Sequence, residues 1–280
     1  MPEGDSIFRT ARTLHRALAG RTVTRFDSVF PKLTRIDDHA PLQGRVVERV
    51  TSRGKHLLIW FSGGLVLRTH MRMSGSWHVY RPGERWQRRG HEMRIVIETA
   101  DILAVAFSVP VAEFIAADQV DRSQHLRRLG PDPLSDGFDA AEAIARVEAR
   151  KDMEIADALL DQSALAGIGN VYKSEVLFAG HVNPFTRVRD LATGDIERLV
   201  TIATKFLRAN VAEAAPGAIV TYTGLRRTTG RSDPGARLWV YGRGGKPCRR
   251  CGTPISRRKQ GPDARSTYWC SRCQPGVPET

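Results

Sequence analysis

The chain has 280 residues, 41% of them hydrophobic, and a net charge of +13. That is enough for one large domain or two ordinary ones around a sizeable core. No apolar run approaches the ~20 residues of a membrane-spanning helix, and the opening Met1-Pro2-Glu3-Gly4-Asp5 is acidic and lacks the apolar stretch of a signal peptide, so a cytoplasmic protein is expected.

The N-terminus is followed by Ile7, Ala11, Leu14 and Leu18 at helical spacing, which predicts an amphipathic helix over 5–19 with Gly20 as its stop. Arg45–Phe61 is rich in Val, Leu and Ile, Ser62-Gly63-Gly64 is a turn signal, and Leu65–Met71 resumes the apolar pattern. Arg94–Glu98 and Ile102–Phe107 form a second hairpin pattern around Ala100-Asp101. The first 130 residues therefore read as mostly β with a helix at the start. Gly130-Pro131-Asp132-Pro133 breaks any regular element and marks a domain boundary. Helical patterns follow over Ala140–Ala149, Ala156–Asp161, Val171–Phe178 and Asp195–Ala214, ending at Pro216, and residues 217–244 read as loop and short strand. There is no internal repeat.

The charge is unevenly placed. Between Tyr222 and Thr280 stand thirteen Lys and Arg against three Asp and Glu, which is +10 of the +13. A surface of that sign attracts polyanions by displacing counterions condensed on phosphates, although a solvated basic tail reads the same way.

All four cysteines fall in this basic segment. Cys248 and Cys251 form one C-x2-C pair, Cys270 and Cys273 another, with eighteen residues between them. Two disulfides or a redox dithiol compete with a metal site, but a cytoplasmic chain disfavours structural disulfides. The spacing predicts one Zn2+ ion held tetrahedrally by four thiolates, which leaves no position for a catalytic water. Arg257, Arg258, Lys259 and Arg265 lie between the pairs, a plausible set of phosphate readers. Leu165-Ala166-Gly167-Ile168-Gly169-Asn170 joins two helical patterns. Its backbone N–H groups and a helix capped by Asn170 would suit a phosphate, but taken alone it reads equally as an ordinary turn.

Pro2 has one ordinary meaning, removal of the initiator methionine. Once Met1 is removed, Pro2 is a secondary amine. Chain-terminal amines have pKa values of about 7.7–8.0, so roughly a third is unprotonated near pH 7.5, against ~0.1% of a lysine. Attack on a sugar C1′ would give an iminium ion that stays cationic and acidifies C2′–H, and Glu3 could move protons at the sugar.

In order along the chain these features resemble one family, the Fpg/Nei DNA glycosylases (formamidopyrimidine-DNA glycosylase and endonuclease VIII). Pro2-Glu3-Gly4 resembles the endonuclease VIII start. Gly54-Lys55-His56-Leu57-Leu58 is similar to the strand carrying the family's catalytic lysine, and His70-Met71-Arg72-Met73-Ser74-Gly75 to its DNA-probing hairpin. Leu129-Gly130-Pro131-Asp132-Pro133-Leu134 resembles the linker, Asp161-Gln162 through Asn170 the helix-two-turns-helix motif, and Val240-Tyr241-Gly242-Arg243 the lead into the zinc finger. The match covers nearly the whole chain.

The resemblance implies an α+β multidomain fold. Its parts would be an N-terminal β-sandwich with a flanking helix (1–130), a linker (131–134), a helix-two-turns-helix domain (135–240) and a four-cysteine zinc finger (241–276). It implies Pro2 as Schiff-base nucleophile, Glu3 as acid, Lys55 in β-elimination or on the adjacent phosphate, and Arg265 in δ-elimination. Outside the motif Lys55 would read as a surface strand lysine. His70, Arg72, Arg128, Asn170 and Tyr241 would contact DNA, and Met73 would fill the gap left by an everted base, if it is exposed rather than core. The formamidopyrimidine branch adds an arginine and an aromatic from another loop. Ser108-Val109-Pro110-Val111 shows no equivalent, and Ala156 stands where that branch has a lysine. The second departure favours oxidised pyrimidines over 8-oxoguanine, with a catalytically silent DNA-binding protein as the more remote alternative. The implied partner is damaged double-stranded DNA, met by a nucleoid-associated monomer.

Overall fold

A computed structural model describes residues 2–212, 226–229 and 234–276. Two units divide between Arg127 and Arg128, two residues ahead of Gly130–Pro133.

The first unit opens with helix α1 (Gly4–Leu18), then β1 (Arg25–Ser28), α2 (Pro31–His39), β2 (Val47–Arg53), β3 (His56–Phe61), β4 (Leu65–His70), β5 (Ser76–Tyr80), β6 (Met93–Glu98), β7 (Leu103–Phe107), β8 (Val111–Ala116) and the short α3 (Gln124–Arg127). Eight strands form two four-stranded antiparallel sheets, ordered β1-β6-β7-β5 and β2-β3-β4-β8. Alternation of side chains sends Trp77, Ile95, Ile97, Ala104 and Ala106 of one sheet, and Val50, Leu57, Ile59, Phe61 and Leu67 of the other, into one core. Ile7, Ala11, Leu14 and Leu18 of α1 join that core, as their spacing predicts. Leu103, Val105 and Phe107 face the opposite way and pack with Tyr80, Val96, Trp86 and Met93. The first sheet is thus covered on both faces.

The long apolar stretch at 45–61 is two strands. Gly54-Lys55 turns between them, with Arg53 paired to His56 and Gly54 at φ 57°, a left-handed value glycine adopts without strain. Lys55 therefore sits on a turn rather than within a strand. The segment Met71–Gly75 is also not the tip of a hairpin: it carries the chain from β4 in one sheet to β5 in the other. Gly75 N–H closes it onto Met71 O at 2.9 Å, and a Cβ on Gly75 would stand 2.7 Å from that oxygen.

The second unit contains α4 (Ala140–Glu148), α5 (Ile155–Leu160), α6 (Asn170–Ala179) and α7 (Asp195–Val211), followed by a hairpin of β9 (Ser256–Gln260) and β10 (Arg265–Trp269). Leu159, Leu165, Ile168, Tyr172, Val176, Leu199 and Leu207 are among its core. The last helix ends at Val211 rather than Ala214. Pro216 and residues 217–225 and 230–233 lie outside the described residues, as does Met1.

The connection between α5 and α6 is built on side chains. Asp161 pairs with Arg150 at 2.9 Å and accepts Ser163 N–H and Oγ–H at 2.9 and 2.7 Å. Gln162 donates to Leu160 O and Ile168 O, and accepts Gly167 N–H. The chain at 130–131 is bonded to this turn through Gly130 N–H to Gln162 O and Ala166 N–H to Pro131 O. A Cβ on Gly130 would lie 2.6 Å from Ala164 O. Gly130→Ala is therefore expected to cost about 1–3 kcal/mol, the range for forced overpacking, read as a lower urea midpoint at unchanged m value.

Candidate active site

One end of the first unit collects the residues marked by sequence. The Gly54-Lys55 turn, the Met71–Gly75 crossing and the Ser108–Pro110 crossing from β7 to β8 all lie there. The register shows it: His56 pairs with His70, and His70 with Val111. Helix α1 runs alongside β2, since Gly20 N–H bonds Val47 O and Val50 N–H bonds His15 Nδ1. Its N-terminus therefore points toward the Gly54-Lys55 end. Glu3 is the N-cap residue, its N–H donating to Ser6 Oγ at 2.9 Å, and both Pro2 and Glu3 are buried. Lys55 is half-buried on its turn. Met73 is 64% exposed, which removes it from the core. Arg72, beside it, is exposed and left-handed at φ 45°.

Behind this end lies a buried cation. Arg68, 1% exposed, bonds Glu113 through Nε at 2.6 Å and His56 Nδ1 through Nη1 at 2.8 Å. A guanidinium only donates, so His56 accepts at Nδ1 and carries its proton on Nε2. His70 accepts Arg72 N–H at its Nδ1 (3.1 Å), and its ring meets His56 edge-on at 4.8 Å. Burial lowers His56 to about 2, aided by the charges of His70, Arg68, His125 and Lys55. Burial and the neighbouring Lys55, Arg72 and Arg68 lower His70 to about 4. Both rings are neutral donors at pH 7. The segment between β7 and β8 is three residues long, with Val109 buried. Its residues are Ser108, Val109 and Pro110, so it presents neither an arginine nor an aromatic ring.

In the second unit Asn170 is the first residue of α6 rather than its cap, the N-cap being Gly169. Its Nδ2 donates to Ser266 O at 2.8 Å. That bond brings the turn at 161–169 together with the β9–β10 hairpin beside Arg265. Arg265 is bonded to Asp263 at 2.9 and 3.1 Å. Tyr241 stacks edge-on against Tyr268 at 5.2 Å, and Arg128 is exposed.

The cysteine tetrad has the geometry of a metal site. All four Sγ atoms lie within 4.8 Å of one another, with Cys248–Cys273 at 3.9 Å and Cys251–Cys270 at 3.4 Å. A tetrahedron with Zn–S bonds of ~2.3 Å needs S···S separations of about 3.8 Å. Arg250 N–H points at Cys248 Sγ (3.4 Å), and Gly252, at φ 81°, returns its N–H to Cys248 O. The donor set fits one structural Zn2+ ion.

Sequence reasoning missed the polar interior of α6. Glu175, fully buried, accepts the N–H groups of Trp239, Val240 and Tyr241 at 2.8 Å each, and the hydroxyl of Thr228. Burial pushes its carboxyl up, while Thr228 and the three N–H donors pull it down. Lys173, also fully buried, donates to Thr267 Oγ1 at 2.6 Å. Thr267 donates to Gln260 Oε1, and Gln260 donates to Glu154 and Pro184 O. Their signal was two charged residues inside a helix whose other positions beyond Asn170 are apolar or small.

Comparison with known proteins agrees along the length. The formamidopyrimidine-DNA glycosylase N-terminal domain matches residues 1–110, its H2TH domain residues 129–221, and the zinc finger found in FPG and IleRS residues 245–276. The chain belongs to the formamidopyrimidine-DNA glycosylase and endonuclease 8 family. It is 43% identical to "Probable endonuclease 8 2" of Streptomyces coelicolor, over 99% of this chain and 95% of that one. It is 38% identical to "DNA-(apurinic or apyrimidinic site) lyase Nei2" of Mycolicibacterium smegmatis, over 98% and 99%. Lactococcus lactis Fpg bound to abasic-site DNA shares the fold, with a TM-score of 0.82 over 98% of this chain and 100% of that one at 23% identity.

Two measurements follow. A histidine lowered by burial binds its proton in the unfolded chain first, so stability rises with pH between the two pKa values. On acidification below about pH 6.5, His56 should therefore cost stability at roughly 1.4 kcal/mol per pH unit. His56→Gln should flatten that dependence in urea titrations at pH 7, 6 and 5. Glu175→Ala removes the acceptor shared by the three N–H groups of Trp239, Val240 and Tyr241, each worth about 1–3 kcal/mol. Expected are a loss of at least ~3 kcal/mol and faster zinc release to a chromophoric chelator.

Proposed function

We propose that the protein is a bifunctional DNA glycosylase and AP lyase of base-excision repair that removes oxidised pyrimidines through a Pro2 Schiff base. The observation that carries this reading is the gathering of Pro2, Glu3, Lys55, His70 and Met73 at one end of the β-sandwich. The relatives' names, an endonuclease 8 and an apurinic/apyrimidinic-site lyase, support the chemistry.

The steps follow from the groups present. With Met1 removed, Pro2 nitrogen attacks C1′ and the base departs with the proton the amine gives up; Glu3 then protonates O4′ as the C1′–O4′ bond opens. The resulting iminium cation draws electrons from C2′, so a C2′ proton is lost and the 3′ phosphate leaves. Loss of a C4′ proton then expels the 5′ phosphate, leaving a gap with phosphate at both ends. Lys55 assists the first elimination or holds the adjacent phosphate, and Arg265 exchanges Asp263 for a phosphate oxygen in the second. Neutral His70 donates Nε2–H to DNA. Asn170, Tyr241, Arg72 and Arg128 add backbone contacts, and Met73 enters the gap left by the everted base. Zinc does no chemistry: four sulfurs fill its coordination and fix the hairpin that carries Arg265.

Lesion choice rests on two positions. Ala156 is fully buried in the helical core and offers no charge to a purine lesion. The three-residue 108–110 crossing offers no second wedge. Among the described residues no helix is long and apolar enough to cross a membrane, and action as a monomer on double-stranded DNA completes the proposal.

Borohydride reduction on abasic-site DNA should trap a covalent adduct with the wild type and none with Pro2→Gly. An equal yield from Pro2→Gly would exclude this nucleophile. Thymine glycol should be released at least tenfold faster than 8-oxoguanine opposite cytosine, and the reverse order would move the enzyme to the formamidopyrimidine specificity.

A further inference from the structure

The connection from β5 to β6, residues 81–92, has no role in the chemistry above, yet it carries Arg81, Arg85, Arg88 and Arg89. Its path is set by the register. Strand β5 begins at Ser76, next to the Met71–Gly75 crossing, and ends at Tyr80. Ser76 pairs with Phe107 and Tyr80 with Leu103, so Tyr80 lies about 13 Å away from the Met73 end, four strand residues on. Strand β6, however, begins at Met93, which pairs with Phe107 again. The connection therefore leaves at the far end and travels the length of the sheet back to the Met73 end.

It makes this journey pinned to the sheet's outer face. Gln87 N–H bonds Tyr80 Oη at 3.1 Å, and Trp86 meets Phe107 edge-on at 5.4 Å. Arg88 is tied to Glu92 at 3.1 Å, and Glu92 O receives Ser108 N–H at 2.7 Å. The last bond fixes the segment directly against the Ser108–Pro110 crossing. Arg89 lies between the anchors Arg88 and Glu92, its N–H donating to Glu92 Oε2 at 3.2 Å, and it is exposed, with no hydrogen bond or ion pair at its guanidinium among the described residues. The backbone is held while this charge is left to solvent, at the sandwich end that has no second gap-filling loop. Arg85, just past the turn closed by Glu84 N–H on Arg81 O, is not carried to that end.

We propose that Arg89 is a phosphate-binding residue that grips the DNA backbone at the Met73 end of the sandwich. This rests on the reading that the Met73 end meets DNA. Guanidinium groups on an anchored segment give up little conformational freedom on binding a phosphodiester, and each phosphate they neutralise releases condensed counterions. Arg81, one residue past Tyr80 at the opposite end, belongs to the same run of charge but stands away from the DNA.

The test is the salt dependence of binding to a 25-base-pair duplex with a central tetrahydrofuran abasic analogue, read by fluorescence anisotropy between 50 and 200 mM KCl. Arg89→Gln should lower the magnitude of the log Kd against log salt slope by about 0.9, for the one phosphate that is no longer neutralised. Arg81→Gln should keep the wild-type slope. An unchanged slope in Arg89→Gln overturns the proposal, and so does an equal fall in Arg81→Gln, because net charge would then explain both. Borohydride trapping of the wild type separates the two readings. A wild type that traps nothing removes the lyase assignment, while the salt slopes still decide whether Arg89 holds DNA.

Discussion

A single carboxylate without exposed surface holds the second unit's working parts together. Glu175 sits in the middle of α6 and bonds three consecutive N–H groups at 239–241. Three successive amides do not all point at one group in a regular strand, so the carboxylate favours a turn in which they converge. That conformation delivers Tyr241 to Tyr268 and feeds the chain into the first cysteine knuckle. Two residues earlier on the same helix, Lys173 bonds Thr267 of β10, and Asn170 bonds Ser266 one residue before it. The helix that follows the 161–169 turn is thus the template on which the zinc hairpin is built. An isolated buried charge costs several kcal/mol; here the donors around Glu175 offset that cost only in one arrangement, and specificity of position is what is gained.

The first unit uses the same device with the opposite sign. Arg68 lies under the Lys55 and His70 end, neutralised by Glu113 and bonded to His56. Burial beside a fixed interior guanidinium holds both histidines neutral, so neither takes up a proton near pH 7.

Much of this was legible in the sequence, and the reasons for the rest are physical. The period of Ile7, Ala11, Leu14 and Leu18 gave the first helix because one face alone is buried. The C-x2-C spacing gave the metal because few arrangements other than a tetrahedral ion need four sulfurs on two knuckles. Strand β1 and helix α2 were missed because they are short and polar, with Leu33 the only buried residue in α2. The Gly54-Lys55 turn was missed because it interrupts an apolar run by only two residues. Lys173 and Glu175 were missed for a different reason. Charges inside a helical pattern are assigned to solvent by default, and only the fold shows that α6 is buried all round.

The zinc site and the buried network answer one weakness. A two-stranded hairpin of five-residue strands is marginal on its own, and the apolar cluster beneath it is small: Phe178, Val240 and Ile255 with the cysteines. Neither cross-link would suffice separately. The metal closes the hairpin on itself without saying where it sits, while Lys173 and Asn170 fix where it sits without closing it. Arg265, at the first position of β10, is placed only when both operate. On the proposed reading, loss of zinc should therefore reach the second elimination through the position of one arginine, and leave the attack of the N-terminal amine to its own determinants.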